Sequence, residues 1–214
     1  MKFQFDELID LVNEMYSSCN YRQRNNQLVS QLYFFWIDFI KNNNFASLID
    51  SKLSGSVEFP LEHFRNNTKY TMSFDIEHVL KYIDKKDIAY MIKPLSDVYT
   101  YIHYTNMENT YWDKNALSSP IVAVPMPSIK DGIFYRYEII DGNHRITYAF
   151  NNKKNIPVHL IVEVVLPPTF FLFPESWIKY HILSSFYFIA QDMLNNPISY
   201  ISELEKSMNY YVFS

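Results

Sequence analysis

The chain has 214 residues, 48% of them hydrophobic and 20% charged, the size and composition of a folded globular protein and not of a disordered one. Its net charge of −4 argues against a protein that coats nucleic acid non-specifically, but allows a local basic site. The single cysteine, Cys19, excludes an internal disulfide, no Cys/His spacing suggests zinc, and the acids within MKFQFDELIDLV leave no apolar run for a secretory signal. A cytoplasmic location is the expectation.

In chain order, Leu8, Leu11, Val12 and Met15 fall at helical spacing over residues 6–17, with Asp6 placed to cap the start. A second helix is predicted from about Asn26 to Lys41, where Leu28, Leu32, Phe35, Trp36, Phe39 and Ile40 form one broad apolar face. The two read as a helical hairpin, residues 1–50, packed on something larger. Aromatics reach 18% of the chain, and this face is read as core, with a protein-partner surface as its alternative. Residues 45–68 are weakly patterned; Ser51 to Ser56 and Arg65 to Thr68 read as loop.

Lys69 to Phe74 has strand character, and Asp75 is placed to cap a helix carrying Ile76, Val79, Leu80 and Ile83 on one face. A short helix is expected over Asp87 to Ile92, ended by Lys93-Pro94. Val98 to Tyr104 fits either strand or helix. Ile121 to Pro125 is an apolar strand of the buried kind, and Lys130-Asp131-Gly132 is the turn of a hairpin to a second strand, Ile133 to Ile140. A helix over about Asn143 to Asn151 and a strand over Val158 to Val165 follow. Beyond Pro167-Pro168 the pattern is helical, from Trp177 to about Leu194 and from Pro197 to Met208. Glu175, Lys179, His181 and Asp192 interrupt the apolar run 170–194, so no membrane span is expected.

The chemistry concentrates at Glu138-Ile139-Ile140-Asp141-Gly142-Asn143-His144-Arg145-Ile146-Thr147, which reads as strand, tight turn and helix. The first amides of a helix lack internal partners and carry partial positive charge, so such a junction suits an anion. An adjacent His and Arg make phosphate the most economical ligand. Between Pro127 and Lys154, the basic residues Lys130, Arg136, Arg145, Lys153 and Lys154 outnumber the acidic Asp131, Glu138 and Asp141. Read singly, each residue has a bland role: Asp141 or Asn143 as a helix cap, Arg145 as the partner of Glu138 or Asp141, His144 as an exposed helix residue.

The ordered set PIVAVPMP, YEIIDGNHRITYAF and NIPVHLIV resembles the ParB/sulfiredoxin-like superfamily, over Pro120 to Val165 and back towards Lys69. The resemblance implies an α+β fold: a small mixed sheet with helices over residues 51–166, with helical additions at 1–50 and 167–214, the latter packed on the core. It also implies nucleotide binding at the turn, with chemistry that differs between members: DNA clamps, phosphoryl transfer to a small hydroxy amino acid, reduction of oxidised cysteine, and nuclease activity. Carried onto this chain, Gly142, Asn143, His144 and Arg145 would hold phosphate, and Asp141 would hold Mg²⁺ or a hydroxyl. Cysteine-reductase chemistry does not fit, because the position of the reactive cysteine is Asn143. Neither the Arg-rich turn nor the following helix-turn-helix of partition proteins is present. The turn is closest to the serine-kinase-like branch, whose acidic residue after an early strand would correspond to Asp75 or Glu77.

Three functions fit these residues. The leading one is an enzyme, a nucleotide-dependent phosphotransferase or a nuclease, with Asp141, His144 and Glu77 as catalytic groups and ATP, ADP or CTP with Mg²⁺ as cofactor. The second is a non-catalytic module binding a nucleotide, a small phosphorylated ligand, nucleic acid or a protein through the same turn and the aromatic helices. The third is a scaffold that has kept the fold and lost the ligand.

Overall fold

The computed structural model describes residues 5–19, 26–42, 58–65, 68–93, 102–103, 117–126, 136–163, 165–190 and 197–213. The chain is mixed α+β and divides into two compact units, Met1–Asp75 with Val165–Ser214, and Ile76–Val164. The sequence reading sets boundaries at 50/51 and 166/167; the contacts divide the chain at 75/76 and 164/165.

The first unit is built around a helix that has no exposed face. Helices α1 (Phe5–Cys19) and α2 (Asn26–Asn42) form the expected hairpin, and a second hairpin pairs β1 (Glu58–Arg65) with β2 (Thr68–Asp75). With them belong a 3₁₀ turn, Pro168–Phe170, and two later helices. On α1, Leu8, Leu11, Val12 and Met15 are all buried, as their spacing requires. On α2 the inner stripe is Val29, Leu32, Trp36, Phe39 and Ile40; Leu28 and Phe35 flank it. The aromatic face is therefore core, and Phe34, which lies outside it, is 67% exposed.

Every residue from Ser176 to Tyr187 is buried. A helix apolar on all sides must be surrounded, and the one from Pro174 to Ala190 packs against α1, α2 and β2. Its polar side chains accordingly need internal partners. The Ser185 hydroxyl accepts from Trp36 Nε1 at 3.0 Å, and the Ser176 hydroxyl accepts from the Ser73 amide at 3.0 Å. Lys179, 4% exposed, donates to Glu7 at 2.7 Å and to Glu175 at 2.5 Å. Replacing Lys179 by methionine is expected to destabilise the protein by about 2–3 kcal/mol in urea unfolding, because two half-buried carboxylates are left facing each other. Adding Glu7→Gln and Glu175→Gln should recover most of that loss. Among the described residues no helix is long and apolar enough to cross a membrane.

The second unit contains α3 (Ile76–Lys86), β3 (Met91–Lys93), β4 (Ile102–His103), β5 (Ile121–Met126), β6 (Arg136–Asp141), α4 (Asn143–Asn151) and β7 (Ile156–Leu160). Its sheet has the order β3-β7-β5-β6-β4. Strand β5, buried throughout, is central; it runs parallel to β7 and antiparallel to β6, which confirms the expected hairpin. Its turn, Lys130 to Gly132, lies outside the described residues, as do most of Val98 to Tyr104 and residues 51–56. Ile121, Ala123, Ile139, Ile146, Ala149, Ile156 and Val158 form the core between sheet and helix.

Strand β7 ends at Leu160, short of the expected Val165, and two further elements differ in type from the sequence reading. Glu58 to Arg65, part of the weakly patterned connection 45–68, is a strand because β2 supplies the full ladder, Glu58 opposite Asp75 through Arg65 opposite Thr68. Asp87 to Ile92, read as helix, is a turn leading into β3. Asp87 adopts φ 51 and closes α3, and Met91 to Lys93 then pair with Val158 to Ile156.

Candidate functional site

The β6–α4 junction folds as its residue types dictate. The β5–β6 ladder slips by one residue just before the turn: Ala123 opposes Ile139, whereas Val122 opposes Asp141, so Ile140 is the extra residue of a bulge. The bulge buries both Ile139 and Ile140 and sets Asp141 at the strand end. Gly142 then turns the chain with φ 102, the left-handed region that side chains disfavour, and serves as the N-cap of α4. A Cβ on it would stand 2.4 Å from Ile121 Cγ2 and 3.1 Å from Arg145 Nε. Glycine is required here both by backbone angle and by the close packing of β5.

Arg145 is largely enclosed, its side chain 15% exposed. Nη1 donates to the main-chain carbonyls of Ser119, at 3.1 Å, and Pro120, at 2.7 Å; Nη2 donates to Asp141 Oδ2 at 2.5 Å. The guanidinium therefore clasps the start of β5 to the end of β6, one turn of helix below the glycine. This is the Asp141 pairing foreseen as the bland reading, with two carbonyls added. Arg145→Ala should destabilise the protein by about 2–3 kcal/mol in denaturant unfolding, since it strips a donor from two carbonyls and a partner from a carboxylate. Arg145→Lys should restore only part, because one ammonium cannot reproduce the fork.

The other candidates separate clearly. Asn143 is 7% exposed; its amide nitrogen lies 3.5 Å from the Ile139 carbonyl, and its own carbonyl accepts from Thr147 Oγ1 at 2.8 Å. It faces inward. His144, next in the helix, is half-buried. Asp141 is a third exposed on its side chain, and among the described residues only its Oδ2 is hydrogen-bonded. Asp75 is buried at the end of β2. Glu77 takes no part in the cluster: it is exposed on α3 and pairs with Lys81 at 2.6 Å. Asp141, Gly142, Asn143, His144 and Arg145 are thus together, and Glu77 stands apart.

No side chain caps α4, because its N-cap is glycine. The first hydrogen bond of the helix runs from Ile146 N to Gly142 O at 3.0 Å, so no carbonyl of the helix serves the amides of residues 143–145. The positive end of the helix dipole lies at this turn. Among the described residues no three His, Cys, Asp or Glu side chains come together as a ligand set. A magnesium ion here would take Asp141 at most and draw its remaining ligands from phosphate oxygens and water.

A second polar contact, with no motif to announce it, lies elsewhere in this unit. Tyr82 on α3 donates to Glu163 Oε1 at 2.7 Å, and burial, reinforced by that carboxylate, pushes the phenol up to about 12. Glu163 Oε2 and His159 Nδ1 are buried without partners among the described residues. Tyr82 and Glu163 are 81 residues apart, too far for spacing to have paired them. No family model, curated protein or solved structure matches this chain.

Proposed function

We propose that the chain is a ParB/sulfiredoxin-like phosphate-binding protein that receives a nucleotide at the first turn of α4. The observation that carries this reading is the glycine-capped helix start, whose cap residue has no side chain of its own and which is positioned by the Arg145 clasp. In this reading the main-chain amides of residues 143–145 hold phosphate, His144 adds a side-chain donor, and Gly142 and Arg145 fix the turn. Asn143 contributes its amide and not its side chain. Asp141 Oδ1 is the position left for Mg²⁺ carried in by ATP, ADP or CTP.

Binding without chemistry is preferred to catalysis. Of the carboxylates a phosphotransferase or nuclease would use, Asp141 neutralises Arg145 and Glu77 is held by Lys81. The sparing of Asp141 Oδ1 is the observation that favours a catalytic form, which would add release of phosphate or cleaved nucleic acid.

The test is a thermal-shift series with ATP, ADP, CTP and GTP, each with Mg²⁺, on wild type and His144→Ala. A nucleotide at 100 times its Kd should stabilise the protein by about 2.7 kcal/mol. The expected result is a shift with at least one nucleotide, weakened in the variant. No shift with any of them, in folded protein, overturns the reading. Arg145→Ala is unsuited to this purpose, because its loss of stability would be mistaken for loss of ligand.

A further inference from the structure

His181 is fully buried in the helix Pro174–Ala190, here α5, and both its ring nitrogens are engaged by other elements. Nε2 lies 3.2 Å from the Leu166 carbonyl, which can only accept, so Nε2 carries the proton. Nδ1 is left as an acceptor, and the Tyr200 hydroxyl donates to it across 3.3 Å. Tyr200 belongs to the last helix, α6 (Pro197–Phe213), where Tyr200 and Leu204 are buried. One imidazole therefore joins α5, the segment at Leu166, and α6.

The two sides of this bridge are not equally secure. The Leu166 carbonyl also accepts from Trp177 Nε1 at 3.1 Å, and just beyond it Phe171 bridges to Phe74 and the Leu172 amide donates to Ser73. That side is pinned. Helix α6 packs on the Pro168–Phe170 turn, and Tyr200 ties it to α5.

The surroundings offer no counter-charge. From α6 the ring meets the Tyr200 hydroxyl, from the Leu166 segment a carbonyl, and on α5 the rings of Trp177 and Tyr180 at 4.7 and 4.9 Å. Lys179, on the same helix, is already paired with Glu7 and Glu175. No carboxylate contacts the imidazole among the described residues. A rotated Tyr200 hydroxyl could accept from a protonated Nδ1, but the charge would remain buried and unbalanced. Burial holds the imidazole down to about 3, despite the opposing Leu166 hydrogen bond.

We propose that His181 is a proton-sensitive latch for α6: acid releases the last helix from α5 while α1, α2 and α5 stay packed. In this proposal, movement of α6 takes Tyr200 off the ring and lets water reach it. Once hydrated, the imidazole takes a proton at its ordinary pKa of about 6.5, and the open state gains about thirty-fold in population at pH 5.

Hydrogen exchange of the full chain at pH 7.5 and pH 5, corrected for intrinsic rates, tests this. Protection of peptides within 197–213 should fall about thirty-fold at pH 5 while that of 174–190 holds. In His181→Gln, which cannot take the charge, the pH dependence of 197–213 should vanish. Parallel loss in both segments, or a fall that persists in His181→Gln, overturns the latch. Should His181→Gln fail to fold, Tyr200→Phe carries the test. It should lower α6 protection already at pH 7.5, and protection equal to wild type contradicts the proposal.

Discussion

Replacing Gly142 by alanine is expected to destabilise the protein by about 2–5 kcal/mol and to abolish the proposed phosphate binding at the turn. Two costs add. At φ 102 an L side chain opposes the following carbonyl, a penalty of about 1–2 kcal/mol. The new methyl would also stand 2.4 Å from Ile121 Cγ2, and relieving such overpacking typically costs about 1–3 kcal/mol. Ile121 is fully buried at the start of the central strand, so it has little room to give. The strain should instead move α4, and with it the amides that the proposed site depends on. Denaturant unfolding measures the first effect; an unchanged midpoint would mean that the turn is not packed as described. Pairing Gly142→Ala with Ile121→Ala should make the two losses less than additive, because the second substitution removes the nearest clashing atom.

A second large effect is expected on acidification. The folded protein holds His181 neutral down to about pH 3, whereas the unfolded chain protonates it near 6.5. Between these values the unfolded state binds more protons, so stability is complete above pH 6.5 and falls as pH drops towards 3. The loss approaches about 1.4 kcal/mol per pH unit, or about 2 kcal/mol by pH 5. Carboxylates add their own dependence, so the informative quantity is the difference between wild type and His181→Gln in urea unfolding at pH 7.5 and pH 5. The gap between the two proteins should shift by about 2 kcal/mol in favour of the variant at pH 5. A gap independent of pH would show that the imidazole is not sequestered in the folded state.

Where local pattern decides structure, the sequence was readable. Helix α4 begins and ends where Asn143 and Asn151 were expected, because Asp141-Gly142 is a local turn signal and Ile146 and Ala149 face the core together. Strand β1 was not readable: Pro60 and the charged Glu58, Glu62 and Arg65 spoil any alternation, and only the partner strand makes it extended. Strand β3 was misread for a related reason, since Ile88 to Ile92 suits either state and pairing with β7 decides it.

The candidate site was legible as a place and less so as chemistry. The residues Asp141 to Arg145 do share one junction, yet the acceptors that occupy Arg145 are carbonyls of Ser119 and Pro120, which no side-chain pattern records. The inward turn of Asn143 likewise depends on the bulge at Ile140, a feature of pairing with β5. Glu77 was suggested by its place after an early strand, and its pairing with Lys81 is the ordinary helix-surface interaction at that spacing.

The central claim is that phosphate meets the main-chain amides at the start of α4. Backbone amide NMR of the whole protein, titrated with ATP and Mg²⁺ and separately with inorganic phosphate, reads those groups directly. The account predicts saturable shifts centred on Asn143, His144 and Arg145, larger for the nucleotide than for phosphate. Shifts confined to other segments, or none at these amides at millimolar nucleotide, would contradict it.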